Sequence, residues 1–144
     1  MTRTIVRNND WKNQDNLWLA AERTSPNSQQ NNNNLGDLYA RRGDLVKAVY
    51  YFQKAVEINP RYADAYHNLG NVNRNMGKTE EAIKSYEKAL EINPNIWQSY
   101  QNIGAIYYKA QNREKALEYF EKALVLVPDN EGLKKIVEEL KAEE

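Results

Sequence analysis

Apolar side chains recur along this chain at intervals of three and four residues, in stretches separated by short polar turns. This spacing places the apolar positions on one face of an α-helix and leaves polar side chains on the opposite face. Over most of the chain two such stretches follow each other closely, which predicts pairs of helices. Gly43 and Gly77 fit the turns of the first two pairs. The third turn holds Gln111-Asn112, where we expect Asn112 to tolerate a left-handed conformation.

The same pattern of residues returns every 34 positions. The repeating residues are Leu35-Gly36, Leu69-Gly70 and Ile103-Gly104, then Ala48, Ala82 and Ala116, then Phe52, Tyr86 and Phe120, then Ala55, Ala89 and Ala123, and finally Pro60, Pro94 and Pro128. Columns held in register over three copies are typical of repeat proteins, in which each unit stacks on its neighbours.

Each column suits one position in a packed pair of helices. A glycine inside a helix lowers its stability by ~1 kcal/mol relative to alanine, so we expect the partner helix to come close there, at the first alanine column. The aromatic column is expected to fill the space between successive pairs. The proline column ends the second helix of each pair, because proline disfavours helical geometry in the residue before it.

These columns resemble the tetratricopeptide repeat (TPR), whose pattern has leucine-glycine, tyrosine, alanine, aromatic, alanine and proline positions in this order. The resemblance covers most of the chain and implies an all-α fold, a right-handed superhelical solenoid of stacked antiparallel helix pairs. Full repeats are predicted at 29–62, 63–96 and 97–130. An N-terminal extension with a half-repeat helix over 1–28 and a capping helix over 131–144 complete the predicted organisation.

The sequence departs from the TPR pattern at two positions. Asn32 stands in the first copy where the later copies have an early tyrosine, and Asn73 interrupts the later tyrosine column in the second copy. Because Asn31–Asn34 are poor helix formers, the first helix of repeat one is predicted to be the weakest.

The N-terminal region carries part of a further repeat. Positions 34 residues before the aromatic, second alanine and proline columns hold Trp18, Ala21 and Pro26. Trp11 to Arg23 is therefore predicted to form the second helix of a repeat whose first helix is missing. Leu17 is expected to join Trp18 and Ala21 in its buried stripe.

The C-terminal stretch is predicted to form one more helix. Leu133, Ile136, Val137 and Leu140 lie at helical spacing, with Glu and Lys between them. A stacked array needs a terminal element with one apolar and one polar face. This segment fits that role.

The N-terminus carries a second resemblance. The residues Arg7–Asn13, followed by Leu17-Trp18, are similar to the junction that follows the last membrane helix in proteins of the O-mannosyltransferase-like class. This resemblance implies that the chain is the C-terminal repeat region of a larger membrane enzyme. Two tryptophans that pack against the end of the array are the alternative explanation.

Composition and charge limit the functions to be expected. The chain has 20 basic and 20 acidic residues and a net charge of zero, so nothing attracts it generally to nucleic acid or to an anionic membrane. It has no cysteine, and His67 is its only histidine, so we expect no metal site and no cofactor. No apolar run is long enough to span a bilayer, so we expect no direct membrane insertion. The cellular compartment stays open.

Nothing in the sequence indicates catalysis. No phosphate-binding loop and no Ser-His-Asp set is visible. The glutamates of the second helices lie near lysines at helical spacing, as Glu80 does with Lys84, which supports an exposed helix rather than acid–base chemistry. We therefore expect a protein without enzymatic activity.

One polar column has the same period as the core. Asn34, Asn68 and Asn102 each precede the leucine- or isoleucine-glycine pair. An exposed asparagine within a helix has poor propensity, so packing gives no reason for it to occur three times. Its amide offers a donor and an acceptor, which suit the backbone of an extended peptide. The column resembles the asparagine ladder in the groove of O-linked N-acetylglucosamine transferase repeats, which implies a peptide-binding groove.

Further polar residues share that predicted groove. They are Asn33, Asp37, His67, Asn71, Arg74, Gln101, Tyr108 and Lys109. Some TPR relatives grip a C-terminal carboxylate with a clamp of Lys or Arg and two Asn. Only Asn68 matches in one register and only Asn71 and Asn102 in the next, so this clamp is not expected here. His67 is a hydrogen-bonding or pH-sensitive groove residue, or is merely tolerated.

The sequence therefore predicts a scaffold that binds a protein or an extended peptide along its asparagine column. Two alternatives stay open. The first is an accessory repeat domain of a membrane glycosyltransferase, which presents protein acceptors. The second is a structural module that self-associates through the half-repeat at Trp11–Arg23.

Overall fold

The computed structural model of this chain describes residues 15–142. Within that range the regular structure is entirely α-helical. Helix α1 is described over residues 15–24. The remaining helices are α2 (Gln29–Arg41), α3 (Leu45–Ile58), α4 (Ala63–Asn75), α5 (Thr79–Ile92), α6 (Trp97–Lys109), α7 (Arg113–Leu126) and α8 (Glu131–Ala142). The predicted helix start at Trp11 lies outside the described residues.

The helices stack as pairs into a solenoid. The most extensive contacts join α2 to α3, α4 to α5 and α6 to α7, and successive pairs meet through α3 with α4 and α5 with α6. Helix α8 packs on α7 at the C-terminal end. The all-α helical-repeat fold predicted from the 34-residue period is therefore confirmed. The division into repeats at 29–62, 63–96 and 97–130 stays a prediction.

The turn inside each pair depends on one residue with positive φ. Gly43 (φ 81°) and Gly77 (φ 75°) hold this position in the first two pairs, as expected. In the third pair it is Gln111 (φ 59°), and the expectation of a left-handed Asn112 is wrong. Asn112 is instead the N-cap of α7, where its side chain accepts a hydrogen bond from the amide of Lys115. A cap needs that side-chain oxygen and an unstrained φ, so the left-handed turn falls one residue earlier.

The glycine of each first helix lies against the aromatic ring of its second helix. A Cβ placed on Gly36 would lie 2.6 Å from ring carbons of Phe52, and one on Gly70 would lie 2.5 Å from those of Tyr86. The corresponding distance from Gly104 to Phe120 is 2.9 Å. Real Cβ atoms do not approach rings so closely, so only glycine fits. Each of these glycines therefore contacts the aromatic ring of its second helix. The contact expected from the sequence was with the first alanine column.

The same rings reach the next pair of helices. Phe52 packs with Leu69 and Val72 of α4, and Tyr86 packs with Ile103 of α6. Each ring thus fills the space between two pairs and also closes its own pair.

Asparagine side chains at the start of α2 donate hydrogen bonds to the backbone of the turn before it. The Nδ2 of Asn32 donates to the carbonyl oxygens of Pro26 and Ser28, both at 2.9 Å. Asn31, Asn32 and Asn33 are all buried. Helix α2 therefore forms over its full length although its propensity is poor, because the side chains that weaken the helix also bond the incoming loop.

Helix α1 buries only part of the predicted stripe, since Trp18 and Ala21 are half-buried but Leu17 is exposed. Leu17 is 65% exposed, whereas Trp18 and Leu19 pack against Leu35 and Tyr51. The expectation of a buried Leu17 is therefore wrong. Its position is one residue away from the face that contacts the array, and one residue rotates a side chain by about 100° around a helix.

Helix α8 buries the apolar stripe expected of a terminal element. Leu133, Val137 and Leu140 are buried against α7, in one cluster with Phe120. Ile136 is half-buried at the edge of the same cluster. The guanidinium of Arg113 also donates to the carbonyl oxygen of Leu140. Helix α8 therefore covers the apolar side of α7.

We predict that Gly70→Ala destabilises the protein by ~1–3 kcal/mol, because the added methyl overlaps the buried ring of Tyr86. The matched control is Gly132→Ala on α8, where the nearest atom is 3.4 Å away and alanine improves helix propensity. This control is expected to be neutral or to stabilise by up to ~1 kcal/mol. Urea unfolding measures both changes, and equal changes in the two variants would contradict the contact.

Candidate functional site

The predicted groove residues lie on the first helix of each pair, α2, α4 and α6. Asn34, Asn68 and Asn102 are half-buried there. Two of the three form side-chain hydrogen bonds between neighbouring pairs. The Nδ2 of Asn68 donates to Oδ1 of Asn33 at 3.1 Å, and that of Asn102 donates to Oδ1 of Asn71 at 3.1 Å. The premise that the column is exposed and has no packing role is therefore wrong.

The asparagine column nevertheless keeps hydrogen-bonding capacity. An amide side chain has two donors and an oxygen with two lone pairs. Asn68 uses one donor toward Asn33, and among residues 15–142 its oxygen accepts no hydrogen bond. Asn34 accepts from Nε2 of Gln30 at 3.3 Å, and its donors have no partner in the same range. Each side chain is held in place on one side and can still bind on the other.

A polar network links α5, α4 and α6. The buried hydroxyl of Tyr86 donates to Oδ1 of Asn71 at 2.8 Å, and the same oxygen accepts the bond from Asn102. The guanidinium of Arg74 donates through Nη1 to Oδ1 of Asn102 at 2.7 Å. Burial raises the pKa of Tyr86 to about 12, which outweighs the lowering by Arg74 and by the amide of Asn102. The phenol is therefore a fixed donor at neutral pH, and the network orients Arg74.

His67 also joins two pairs of helices. Its Nδ1 lies 2.7 Å from Oγ of Ser99, which is fully buried on α6. The imidazole ring also contacts the ring of Tyr86, with centroids 5.6 Å apart. Burial lowers the pKa of His67 below its ordinary value, more than the nearby Asp64 raises it, and Arg74 lowers it further. The neutral ring and the hydroxyl of Ser99 therefore share one hydrogen bond, whose direction is set by the imidazole tautomer.

Three shallow clefts lie along this part of the array. The first, the His67 cleft, has a volume of about 420 Å³ and is lined by Asn33, Asp64, His67, Asn68, Asn95, Ile96 and Gln98. The second, the Arg74 cleft, measures about 500 Å³ and is lined by Arg74, Gly77, Thr79, Ala105, Ile106, Lys109 and Ala110. The third, the Arg113 cleft, measures about 430 Å³ and is lined by Tyr108, Lys109, Gln111, Arg113 and Leu140.

The predicted site residues are thus divided among several places. His67 and Asn68 share the first cleft, Arg74 and Lys109 share the second, and Tyr108 lines the third. Asp37, Asn71, Asn102, Asn34 and Gln101 line none of the three. Asp37 instead forms an ion pair with Arg41 at 2.9 Å, one turn along α2. Gln101 is half-buried on α6.

Sequence reasoning missed Ser99, which holds the imidazole of His67. The position 34 residues earlier is Ala65, a fully buried small residue. A hydroxyl where the preceding copy has a buried alanine is the available signal, because a buried hydroxyl needs a partner. The sequence alone does not reveal that this partner lies on the preceding pair.

Two further observations concern chemistry and membranes. Between residues 15 and 142, no three His, Asp or Glu side chains lie where they could hold a metal ion. In the same part of the chain, no helix combines the length and the apolar character that crossing a membrane requires.

The arrangement of helix pairs, with an aromatic ring on a glycine in each, is that of a helical-repeat protein. A model of the tetratricopeptide repeat family matches residues 29–95 and 61–129. These matches cover more than half of the chain, so the chain belongs to the tetratricopeptide repeat family.

Solved structures give the same fold. A crystal structure of MamA is 36% identical over 70% of this chain, with a TM-score of 0.69, and this chain spans 59% of that protein's length. A second MamA structure is 22% identical, with a TM-score of 0.80; the alignment covers 93% of this chain and 73% of the MamA chain. The first TPR of Spaghetti (RPAP3), bound to the HSP90 peptide SRMEEVD, is 19% identical, with a TM-score of 0.73. That alignment covers 81% of this chain and 92% of the Spaghetti chain. Among curated protein sequences, the chain has no significant match.

We predict that His67 titrates below its ordinary pKa of 6.5, because burial disfavours the charged ring. The unfolded chain then binds more protons than the folded one as the pH falls below about 6.5. The free energy of unfolding therefore decreases through that window, down to the folded-state pKa, and is unaffected above it.

NMR titration of the imidazole carbon protons, together with urea unfolding at about pH 7.5 and 5.5, measures this effect. The control is His67→Gln, which removes the titrating group and should flatten the dependence on pH. A pKa of 6.5 or higher in the folded protein would contradict the burial argument.

Proposed function

We propose that this chain is a non-enzymatic scaffold that binds an extended segment of another protein along α2, α4 and α6. The TPR fold supports the general class of protein-interaction scaffold. One observation carries the finer proposal. Asn34 and Asn68 are anchored by one hydrogen bond each and retain unused donors or acceptors, one helix pair apart.

Such side chains suit the backbone of an extended peptide. A peptide backbone presents one donor and one acceptor per residue, and an amide side chain can satisfy both. Because Gln30 and Asn33 hold these amides in place, a ligand needs to order fewer side chains on binding. Each new hydrogen bond is worth about 0.5–1.5 kcal/mol, so several are needed for useful affinity.

The His67 cleft would receive a side chain of the bound segment. It lies beside Asn68 and combines the carboxylate of Asp64 and the amides of Asn95 and Gln98 with the apolar Ile96. Asp64 is the only ionised group in this lining, so the cleft carries a net negative charge. It favours a polar or basic side chain over an acidic one.

A charged clamp at the usual positions is not part of this proposal. The structure of the first TPR of Spaghetti contains an HSP90 peptide in the same fold. The clamp positions of carboxylate-binding relatives correspond here to Asn33, Asp37, Gln98 and Asn102, none of which is a cation. We therefore propose recognition through backbone hydrogen bonds in this groove.

The test is the affinity for a partner recovered from the native source. The double variant Asn34→Ala/Asn68→Ala is expected to bind that partner about tenfold more weakly in calorimetry, because two groups that contact the ligand backbone are lost. Gln53→Ala on α3 is the control, since it removes an exposed amide side chain outside the proposed groove. Equal affinity of the double variant and the wild type would reject the groove.

A second candidate function is self-association through α1. Leu17 is 65% exposed there, and the sequence predicts α1 to be the second helix of a repeat. A second copy would cover this apolar side chain. The resemblance to membrane glycosyltransferases leads to no proposal, because residues 7–13 lie outside the described part and no comparison supports it.

We predict that Leu17→Lys lowers any association constant at least severalfold, because a charged side chain resists burial in an interface. Val125→Lys on α7 is the matched control, since Val125 is also an exposed aliphatic residue, at 80%. Sedimentation equilibrium over a range of concentrations measures the effect. A wild-type chain that stays monomeric throughout would exclude self-association.

A further inference from the structure

We infer that the Arg74 cleft binds a carboxylate group of the segment that occupies the inner helices. This inference rests on the proposed function and extends it by naming the chemistry of one anchor. The carboxylate is supplied either by a Glu or Asp side chain or by a free C-terminus.

The cleft has two cations above an apolar floor. Arg74 lies in the last turn of α4 and Lys109 is the last residue of α6, and both line the same space of about 500 Å³. Ala105, Ile106 and Ala110 supply apolar lining. None of the lining residues is acidic. A glutamate side chain fits this arrangement, since its methylene groups can rest on Ile106 while its carboxylate meets the cations.

The charges of both cations are uncompensated in the described part of the chain. Neither Arg74 nor Lys109 forms an ion pair with a carboxylate of residues 15–142. Other exposed cations do so at close range. Examples are Lys88 with Glu91 at 2.6 Å, Lys122 with Glu118 at 2.5 Å and Lys134 with Glu131 at 2.7 Å. Two unpaired cations that share one cleft create a local positive potential although the chain is neutral overall.

Arg74 is also oriented before any ligand arrives. Among the described residues, its one hydrogen bond goes to the neutral side-chain oxygen of Asn102. The amide of Asn102 donates to Asn71, and Tyr86 donates to the same oxygen of Asn71. A neutral acceptor fixes the guanidinium without cancelling its charge. The remaining guanidinium donors are available for a carboxylate, with which Arg forms paired hydrogen bonds.

This pairing of cations does not follow from the repeat itself. The positions 34 residues before Arg74 and Lys109 hold Ala40 and Asn75. The equivalent positions between the first two pairs therefore lack both cations. Both also lie outside the clamp columns of carboxylate-binding relatives, so this site would be a feature of this chain.

The N-terminus of α5 adds a smaller contribution. Thr79, its first residue, lines the cleft, and its N-cap Lys78 provides no side-chain hydrogen bond. The backbone amides at the start of α5 are therefore not satisfied by a capping side chain, and the positive end of the helix dipole can attract an anion. Glu80 and Glu81 lie in the same first turn, but neither lines the cleft, so the two cations dominate.

A titration of the full chain with short acidic probes tests the proposal. Acetyl-Glu-Glu-amide carries two side-chain carboxylates, acetyl-Gln-Gln-amide carries none, and acetyl-Gln-Gln with a free C-terminus carries only the terminal one. Backbone and side-chain ¹⁵N NMR at low salt reports where each probe binds. We expect the carboxylate probes to shift the resonances of Arg74, Lys109, Thr79 and Ile106, and the neutral probe to shift none of them.

Substitutions then locate the charge. Arg74→Gln and Lys109→Gln are each expected to weaken binding roughly two- to fivefold, as is typical of one exposed ion pair. Arg61→Gln and Lys84→Gln are matched controls, since both side chains are exposed and unpaired among residues 15–142. Asn102→Ala is expected to weaken binding less than Arg74→Gln, since it frees the guanidinium without removing its charge.

The outcomes separate this proposal from the previous one. Shifts that appear equally with the neutral probe, shifts confined to other surfaces, or no shifts at all would overturn the carboxylate site. Preference for the diglutamate or for the free C-terminus identifies the source of the group, and either supports the site. The partner affinity of the Asn34 and Asn68 variants tests the groove independently, so one proposal can fail while the other stands.

Discussion

The contact between a glycine on one helix and an aromatic ring on the next sets the geometry of the whole array. Gly70 lets the ring of Tyr86 approach its backbone, and the same ring packs on Ile103 of the following pair. One side chain therefore fixes the packing inside a pair and the stacking of pairs. The inner helices take up their positions relative to one another through this contact, and the polar groups on them depend on it.

The hydroxyl of Tyr86 connects this core to the candidate site. The ring is fully buried, yet its oxygen reaches Asn71, which also binds Asn102, and Asn102 binds Arg74. The middle pair has tyrosine where the first and third have phenylalanine. Among the three rings of this column, only that of Tyr86 carries a hydroxyl that can anchor a polar network. This difference makes the α4–α6 junction chemically distinct within a regular repeat.

The sequence predicted the fold well and the site only in part, for physical reasons. The 34-residue columns record packing that recurs identically, so helices, turns and stacking follow from them. The asparagine column has the same period, but its bonds join residues on different pairs, as Asn68 does with Asn33. Periodicity does not reveal which side chains meet across an interface, nor that Ser99 holds His67. The exposure of Leu17 was not predicted, because helical spacing alone does not show which edge of an apolar stripe contacts the array.

The proposed function requires a partner segment to lie along α2, α4 and α6, held by amides that also join the pairs. The most direct measurement is ¹⁵N NMR of the side-chain amides during titration with a peptide from the recovered partner. We expect shifts of Asn34 and Asn68, and of the backbone of the inner helices, with α3, α5 and α7 largely unchanged. Shifts confined to α3, α5 and α7, with the asparagine amides unmoved, would contradict it.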